Sequence, residues 1–289
     1  GRVVRVGEGV TQFKPGDHVM GFTPSAFANY ATVPSHVLAR VPDGMSSEAA
    51  ATIPVAFCTA YYGLVTLARL SRGEWVLIHG GAGGVGLAAL QIALSRGAKV
   101  IATAGSEERR DLLRVLGAHH VLDSRSLAFS DDVHRITGDG ADVVLNSLAG
   151  DAMERGIRAL KPFGRFVELG KRDFIANTHI GLRPFRRNLS YFGVDLDQLL
   201  INRRGASVMP LPKVMSLFEQ GVFSALPYRA FPAERAVDAF RLMQQSGHVG
   251  KIVITPPAPG TVDRDGETER KFVVDPARAH MITGRIRGY

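Results

Sequence analysis

Trp75 to Ala104 reads WVLIHGGAGGVGLAALQIALSRGAKVIATA. A β-prone apolar segment runs into a glycine cluster. The cluster opens an apolar helical stretch, Leu87 to Leu94, and a second apolar segment, Val100 to Ala104, closes the unit. Strand, glycines, helix and strand within ~30 residues is the spacing of a dinucleotide-binding βαβ element. Gly81, Gly83 and Gly86 occupy its three glycine positions, with Gly84 and Val85 inside the loop. The first glycine permits a tight turn, the second lets backbone approach a pyrophosphate, and the third lets helix pack on strand. The phosphates would rest on the unpaired N–H groups at the positive end of the helix. A glycine run alone reads equally as a flexible loop, but here every flanking element stands where a phosphate cradle needs it.

Charge beyond the second strand decides which dinucleotide. A free ribose calls for a carboxylate about 20 residues past the glycines, whereas a 2′-phosphate calls for cations. Ala102 to Gly105 carry no acid; Ser106 follows, and Arg109 and Arg110 lie one turn further on. Glu107 and Glu108 suit the first turn of any helix, and a solvated helix face is the plain alternative for the two arginines. NADPH is the expected cofactor.

Farther out, composition sets the class. The chain has 289 residues, 45% hydrophobic and 21% charged, which suits one or two globular domains with a sizeable core. Apolar stretches fall short of the ~18 residues that cross a bilayer, and no signal peptide opens the chain. The single cysteine, Cys58, excludes an internal disulfide and a four-thiolate zinc site. A cytoplasmic protein is expected. None of the nine histidines forms an i, i+4 pair flanking an acid, so no metal is expected. A net charge of +8, with clusters at Arg183, Arg186, Arg187 and at Arg203, Arg204, raises nucleic acid as a partner. No nucleic-acid-binding motif accompanies them, and a solvated surface explains them better.

Residues 1–47 read as β-rich, with Arg2–Val6 as a strand, Lys14–Val19 as a turn feeding one, and Asn29–Val33 alternating with period two. Ser46 offers an N-cap to a helical run over 49–70 interrupted near Pro54. Strands are predicted at 75–79, 99–104, 120–123, 142–146 and 165–169. Helices are predicted at 84–96, 107–116, 130–136 and 151–160. Apolar strands alternating with helices indicate a parallel sheet covered on both faces. A strand over 189–194, helices near 212–220 and 232–246, and a closing strand over 250–254 that returns to the β-rich part complete the reading. Residues 256–260 read as a linker.

These residues also match a known pattern. Gly7-x-Gly9-Val10, Phe13-x-Pro15-Gly16-Asp17-x-Val19 and the Ala82–Gly86 loop resemble the medium-chain dehydrogenase/reductase superfamily, in its zinc-free quinone-oxidoreductase-like branch. Asn146-Ser147-Leu148-Ala149-Gly150, Gly164 to Lys171 and the ending Val249-Gly250-Lys251-Ile252-Val253 resemble the enoyl reductase domain of modular polyketide synthases and animal-type fatty acid synthases. The tail from Ala279 to Tyr289 resembles the first strand and glycine loop of a following ketoreductase, with Arg285 and Arg287 where glycines are usual. The resemblance implies an α/β fold: a doubly wound Rossmann sheet over 48–224, a β-rich GroES-like substrate domain from 1–47 and 225–256, truncated at its N-terminus, and a linker with the start of a ketoreductase over 257–289.

It also implies a reaction. NADPH would reduce the double bond of an enoyl thioester carried on the phosphopantetheine arm of an acyl carrier protein, beside the other synthase domains. Lys171 matches the family's lysine after the strand-ending Leu169-Gly170, as proton donor or as donor to the enolate. A surface lysine after a strand is the plain alternative. Asp195 matches the aspartate that orients it, with Asp197 as substitute. Asn146, Ser147 and Gly170 would border the nicotinamide, Thr59 would face it, and Lys251 would contact the cofactor. A tyrosine that some relatives use as proton donor would lie before Gly1. A homodimer through edge strands is known among relatives. A stand-alone NADPH quinone or enone reductase, and a noncatalytic cofactor-binding module, are the alternatives.

Overall fold

The computed structural model describes residues 1–23, 26–28, 30–202 and 209–256. A short antiparallel pair comes first: β1 (Val19–Gly21) against β2 (Leu38–Arg40), Val19 opposite Arg40. Helices α1 (Ser47–Ala51) and α2 (Pro54–Tyr61) follow, and α2 runs into a π-helical turn over Tyr62–Leu67. The Ser46 hydroxyl accepts the Ala49 N–H at 3.1 Å, the expected N-cap. Pro54 stands at the first turn of α2, where its missing N–H costs nothing, so the helical run bends through it and continues.

Strands and helices then alternate: β3 (Trp75–Ile78), α3 (Gly84–Ser95), β4 (Lys99–Ala104), α4 (Glu107–Val115), β5 (His120–Asp123), α5 (Phe129–Thr137), β6 (Ala141–Asn146), α6 (Asp151–Arg158), β7 (Leu160–Glu168), α7 (Arg172–Ile175) and β8 (Ser190–Gly193). Six strands pair in parallel in the order β5-β4-β3-β6-β7-β8. The order reverses between β3 and β6, the crevice where such sheets bind ligands. The remaining elements are α8 (Leu196–Asn202), α9 (Leu211–Glu219), β9 (Tyr228–Pro232), α10 (Ala236–Gln244) and β10 (Lys251–Thr255).

The side-chain period of two divides the core between the faces of the sheet. Val76, Ile78, Val100, Ala102, Val143 and Leu145 pack on one side with α2, α3 and α9, while Leu77, Ile101, Val144 and Phe166 pack on the other with α5 and α6. Phe57 of α2, fully buried, meets Phe218 edge-on at 4.8 Å and Phe223 at 5.3 Å, pinning α2 to α9. Each such side chain contributes ~1.5–3 kcal/mol by leaving water.

Four expectations change. Arg2 makes only an isolated bridge to His18, and 3–6 form no strand. Residues 30–33 are irregular: no strand among the described residues pairs with them, and alternation without a ladder does not hold a strand. The closing strand pairs in parallel with β9, unforeseen because Tyr228–Pro232 is short and mostly exposed, rather than with the first β-rich residues. Finally, the run Ser47–Leu67 has 21 residues, with a mean hydropathy of 1.5 over its most apolar 18-residue window, long and apolar enough to cross a membrane by length and composition. Its apolarity serves burial in this fold, where Ile53, Ala56, Phe57, Cys58, Ala60 and Leu64 are all buried. The tail over 279–289, the residues after Pro256 and the Arg203, Arg204 cluster lie outside the described residues. Arg187 of the other basic cluster is internal scaffolding: its guanidinium donates to the carbonyls of Leu160 and Ile157.

Candidate active site at the carboxyl edge of the sheet

Because β3 to β8 are parallel, their carboxyl ends open on one edge. The glycine loop follows β3, Ser106 follows β4, Arg125 follows β5, Asn146 ends β6, Glu168 ends β7, and Asp195 follows β8. The edge therefore gathers the glycine loop, Ser106, Asn146 and Asp195, which the sequence singled out, with Arg125 and Glu168, which it did not.

In the loop, the positive φ needed for the tight turn belongs to Gly80 (φ 62), one residue before the glycine expected to supply it. Gly81 is instead wedged against α4 and β4: a Cβ there would lie 3.0 Å from Leu113 and 3.1 Å from Ala102. Gly86 lets α3 close on the loop, for a Cβ would lie 2.3 Å from the Gly80 carbonyl oxygen. Gly83 caps α3 without a side chain, leaving the first N–H groups of the helix, those of Gly84, Val85 and Gly86, as donors for an anion.

A lysine stands beside those donors. The Gly250 N–H donates to the Ala82 carbonyl at 2.9 Å, which brings β10 to the loop and lays the Lys251 stem where a Gly84 Cβ would be, 2.5 Å away. The Lys251 ammonium has no hydrogen-bond or ion-pair partner among the described residues, and burial lowers its pKa. His248 stands close by: burial first, then Arg109 and Lys251, hold its pKa below the usual histidine value, and its buried Nδ1 has no partner. A half-buried amine without an ion-pair partner among the described residues, at a helix N-terminus, fits a phosphate group.

At the end of β4 the arginines divide differently from expectation. Arg110 is spent on Glu107 (2.5 Å), on Asp123 (3.6 Å) and on the Ala104 carbonyl. Arg109 donates to the Ser246 carbonyl, tying α4 to the end of α10. Ser106 stands at the N-cap position of α4 with no side-chain cap bond. The free guanidinium is Arg125, absent from the sequence reading: among the described residues it has no ion pair, and its Nε lies 3.5 Å from where a Gly105 Cβ would be. Only the pairing of β5 beside β4 reveals it.

Lys171 Nζ donates to Asp195 Oδ1 at 3.0 Å and lies 3.6 Å from Asp197 Oδ2. Both aspartates thus engage the lysine, and the Asp195 hydrogen bond is the main cause that raises its pKa. The lysine is exposed and free to meet a ligand.

Asn146 takes a different part from the one expected. It is fully buried, donating to Glu168 Oε2 and to the Leu148 carbonyl, both at 2.6 Å, so its amide is consumed inside the protein. The adjacent Ser147 is the exposed residue, with its hydroxyl beside Gly80. Thr59 is half-buried on α2, and among the described residues its hydroxyl makes no hydrogen bond. No group of three or more His, Cys, Asp or Glu able to hold a metal ion occurs among the described residues.

Comparison with known proteins agrees with this architecture. The family described as zinc-binding dehydrogenase matches residues 84–203. A mycocerosic acid synthase-like polyketide synthase of Mycobacterium tuberculosis is 41% identical over 292 residues, covering 100% of this chain and 14% of that protein. The chain therefore spans about a seventh of the curated relatives it matches. The CurK enoyl reductase structure is 38% identical with a TM-score of 0.81, over 89% of this chain and 77% of that one. A mycobacterial protein, Rv1454c, complexed with NADPH, is 26% identical with a TM-score of 0.79, over 89% and 80% of the two chains.

Proposed function

This chain belongs to the enoyl reductase domains of polyketide synthases, in the medium-chain dehydrogenase/reductase superfamily, and from that membership we propose that it reduces an enoyl thioester carried on an acyl carrier protein, with NADPH as reductant. The observation that carries the reading is the exposed Lys171–Asp195 pair on the same sheet edge as the glycine cradle. When bound, NADPH supplies the hydride that adds to Cβ of the thioester.

The residues divide the work as follows. The N–H groups of Gly84, Val85 and Gly86 and the ammonium of Lys251 hold the pyrophosphate. Gly81 and Gly83 shape that loop. Arg125 after β5, with Ser106 and Arg109 at the start of α4, neutralises the 2′-phosphate. Ser147, Gly170 and Thr59 border the nicotinamide. The NADPH complex of the Rv1454c neighbour supports this cofactor.

Lys171 is the catalytic residue. It is an ammonium at neutral pH, and Asp195 raises its pKa further, so it donates to the thioester carbonyl as negative charge grows there or delivers the proton to Cα. Asp195 and Asp197 hold its direction. Residues 48–224 form the nucleotide-binding unit, 1–47 with 225–256 the substrate-side unit, and the carrier protein and a following ketoreductase are its neighbours in a cytoplasmic synthase.

Steady-state NADPH oxidation with a crotonyl-pantetheine thioester, set against a quinone, tests the reading. Turnover of the thioester supports it; reduction of the quinone with the thioester untouched overturns it.

A further inference from the structure

We infer that Glu168 is a positioning residue for this reduction: its buried carboxylate ties the end of β6 to the turn that carries Lys171, and it grips both only when ionised. The inference rests on the proposed enoyl reduction for its kinetic consequence, and on the geometry for its mechanism.

Glu168 is fully buried at the last position of β7. Oε2 accepts the Asn146 Nδ2 hydrogen and Oε1 accepts the Gly170 N–H, both at 2.6 Å. Asn146 passes the hold onward, accepting the Leu148 N–H at 3.2 Å and donating to the Leu148 carbonyl. One carboxylate thus fixes the 146–148 loop on one side, and on the other the Leu169–Gly170 peptide, one residue before Lys171. Gly170 has to be glycine for this, because a Cβ would lie 2.8 Å from Oε1.

The charges around Glu168 leave it without a counter-ion. No ion pair reaches it among the described residues. Asp173 of α7 faces it as a like charge, and Tyr191 of β8, its own pKa pushed up to about 12, stays a neutral phenol. Asn146 of β6 contributes only a neutral amide, and Lys171 turns away to Asp195 and Asp197. Burial pushes the Glu168 carboxyl up to about 7, against the pull of the two hydrogen bonds.

Both partners are donors, so a protonated Glu168, with a hydroxyl of its own to place, cannot accept from both oxygens as the carboxylate does. One tie loosens. Turnover should therefore rise as pH climbs through about 7. The rise belongs to Glu168 and not to Lys171, whose raised pKa puts its own titration well above this range.

The test compares wild type with Glu168→Gln. The wild type is expected to gain about tenfold in kcat between about pH 6 and 8. The variant is expected to lose the rise and about tenfold of the rate at high pH, with its Kd for NADPH within about threefold. Glu168→Gln that keeps the pH-dependent rise overturns the inference. A glutamine amide turned toward Asn146 sets donor against donor, so a second readout uses the unmutated protein. Infrared difference titration should show a buried protonated carboxyl disappearing near pH 7, and amide exchange at Gly170 should slow over the same range after correction for intrinsic rate. Absence of both overturns the inference whatever the turnover. A wild type that reduces no thioester at any pH, yet shows both signals, overturns the enoyl reductase reading alone.

Discussion

Lys171 and Asp195, 24 residues apart, meet at 3.0 Å where β7 and β8 deliver their carboxyl ends side by side. The contact is a product of parallel register, with Glu168 paired to Gly193, so that the residues beyond each strand emerge together. Asp195 also accepts the Asp197 N–H at 3.2 Å, a second hold on the carboxylate that faces the lysine. The pair is solvent-exposed, so its contribution to stability is small. Its value is in direction and protonation state.

Lys171→Ala is expected to lower kcat for enoyl thioester reduction about a hundredfold, the usual worth of a positioned proton donor. NADPH affinity, measured by titration calorimetry, should change less than about threefold. Wild-type turnover in the variant would remove Lys171 from the mechanism.

Asp195→Asn removes the main cause of the raised lysine pKa. The sign follows directly: with a lower pKa the ammonium is lost sooner as pH rises, so the alkaline decline in kcat should move to lower pH. A pH–rate profile checks it, and an unmoved alkaline limb contradicts it.

Arg125→Ala should raise the KM for NADPH about ten- to a hundredfold while leaving NADH nearly unchanged, as expected for a guanidinium facing a phosphate. Arg110→Ala should leave coenzyme preference intact, because that side chain is committed to Glu107 and Asp123. Steady-state KM values for the two coenzymes separate these outcomes.

Gly86→Ala and Gly84→Ala differ by what a new methyl meets. At Gly86 it meets rigid backbone, the Gly80 carbonyl at 2.3 Å, and should cost about 3 kcal/mol or more in denaturant unfolding, with coenzyme binding lost. At Gly84 it meets the Lys251 stem, which can swing away; the fold should survive and NADPH affinity should fall.

His79, fully buried beside Thr103 and edge-on to Phe129, is held neutral, its pKa lowered to about 3 by burial. An unfolded histidine takes its proton near pH 6.5, so this part of the stability is complete above that value and drains away as pH falls toward 3. Urea midpoints measured at about pH 7 and 5 should differ, and His79→Leu should shrink the difference.

The sheet was legible because its strands are short apolar runs alternating with helical stretches, and because strand, glycine loop and helix follow one another at the spacing of a phosphate cradle. Local pattern could not reveal pairing. Arg125 matters through β5 lying beside β4, and Glu168 through its contact with Asn146. Alternation alone misled at 30–33, where no strand among the described residues completes a ladder, and Asn146 looked like a ligand contact until its amide proved to be spent on Glu168.

The most direct test supplies NADPH deuterated at the transferable position together with a trans-2-enoyl pantetheine thioester, and locates the label by mass spectrometry and NMR. The account predicts one deuterium at Cβ and one solvent proton at Cα in the saturated product. Recovery of unlabelled, still unsaturated thioester, while a quinone is reduced under the same conditions, would contradict it.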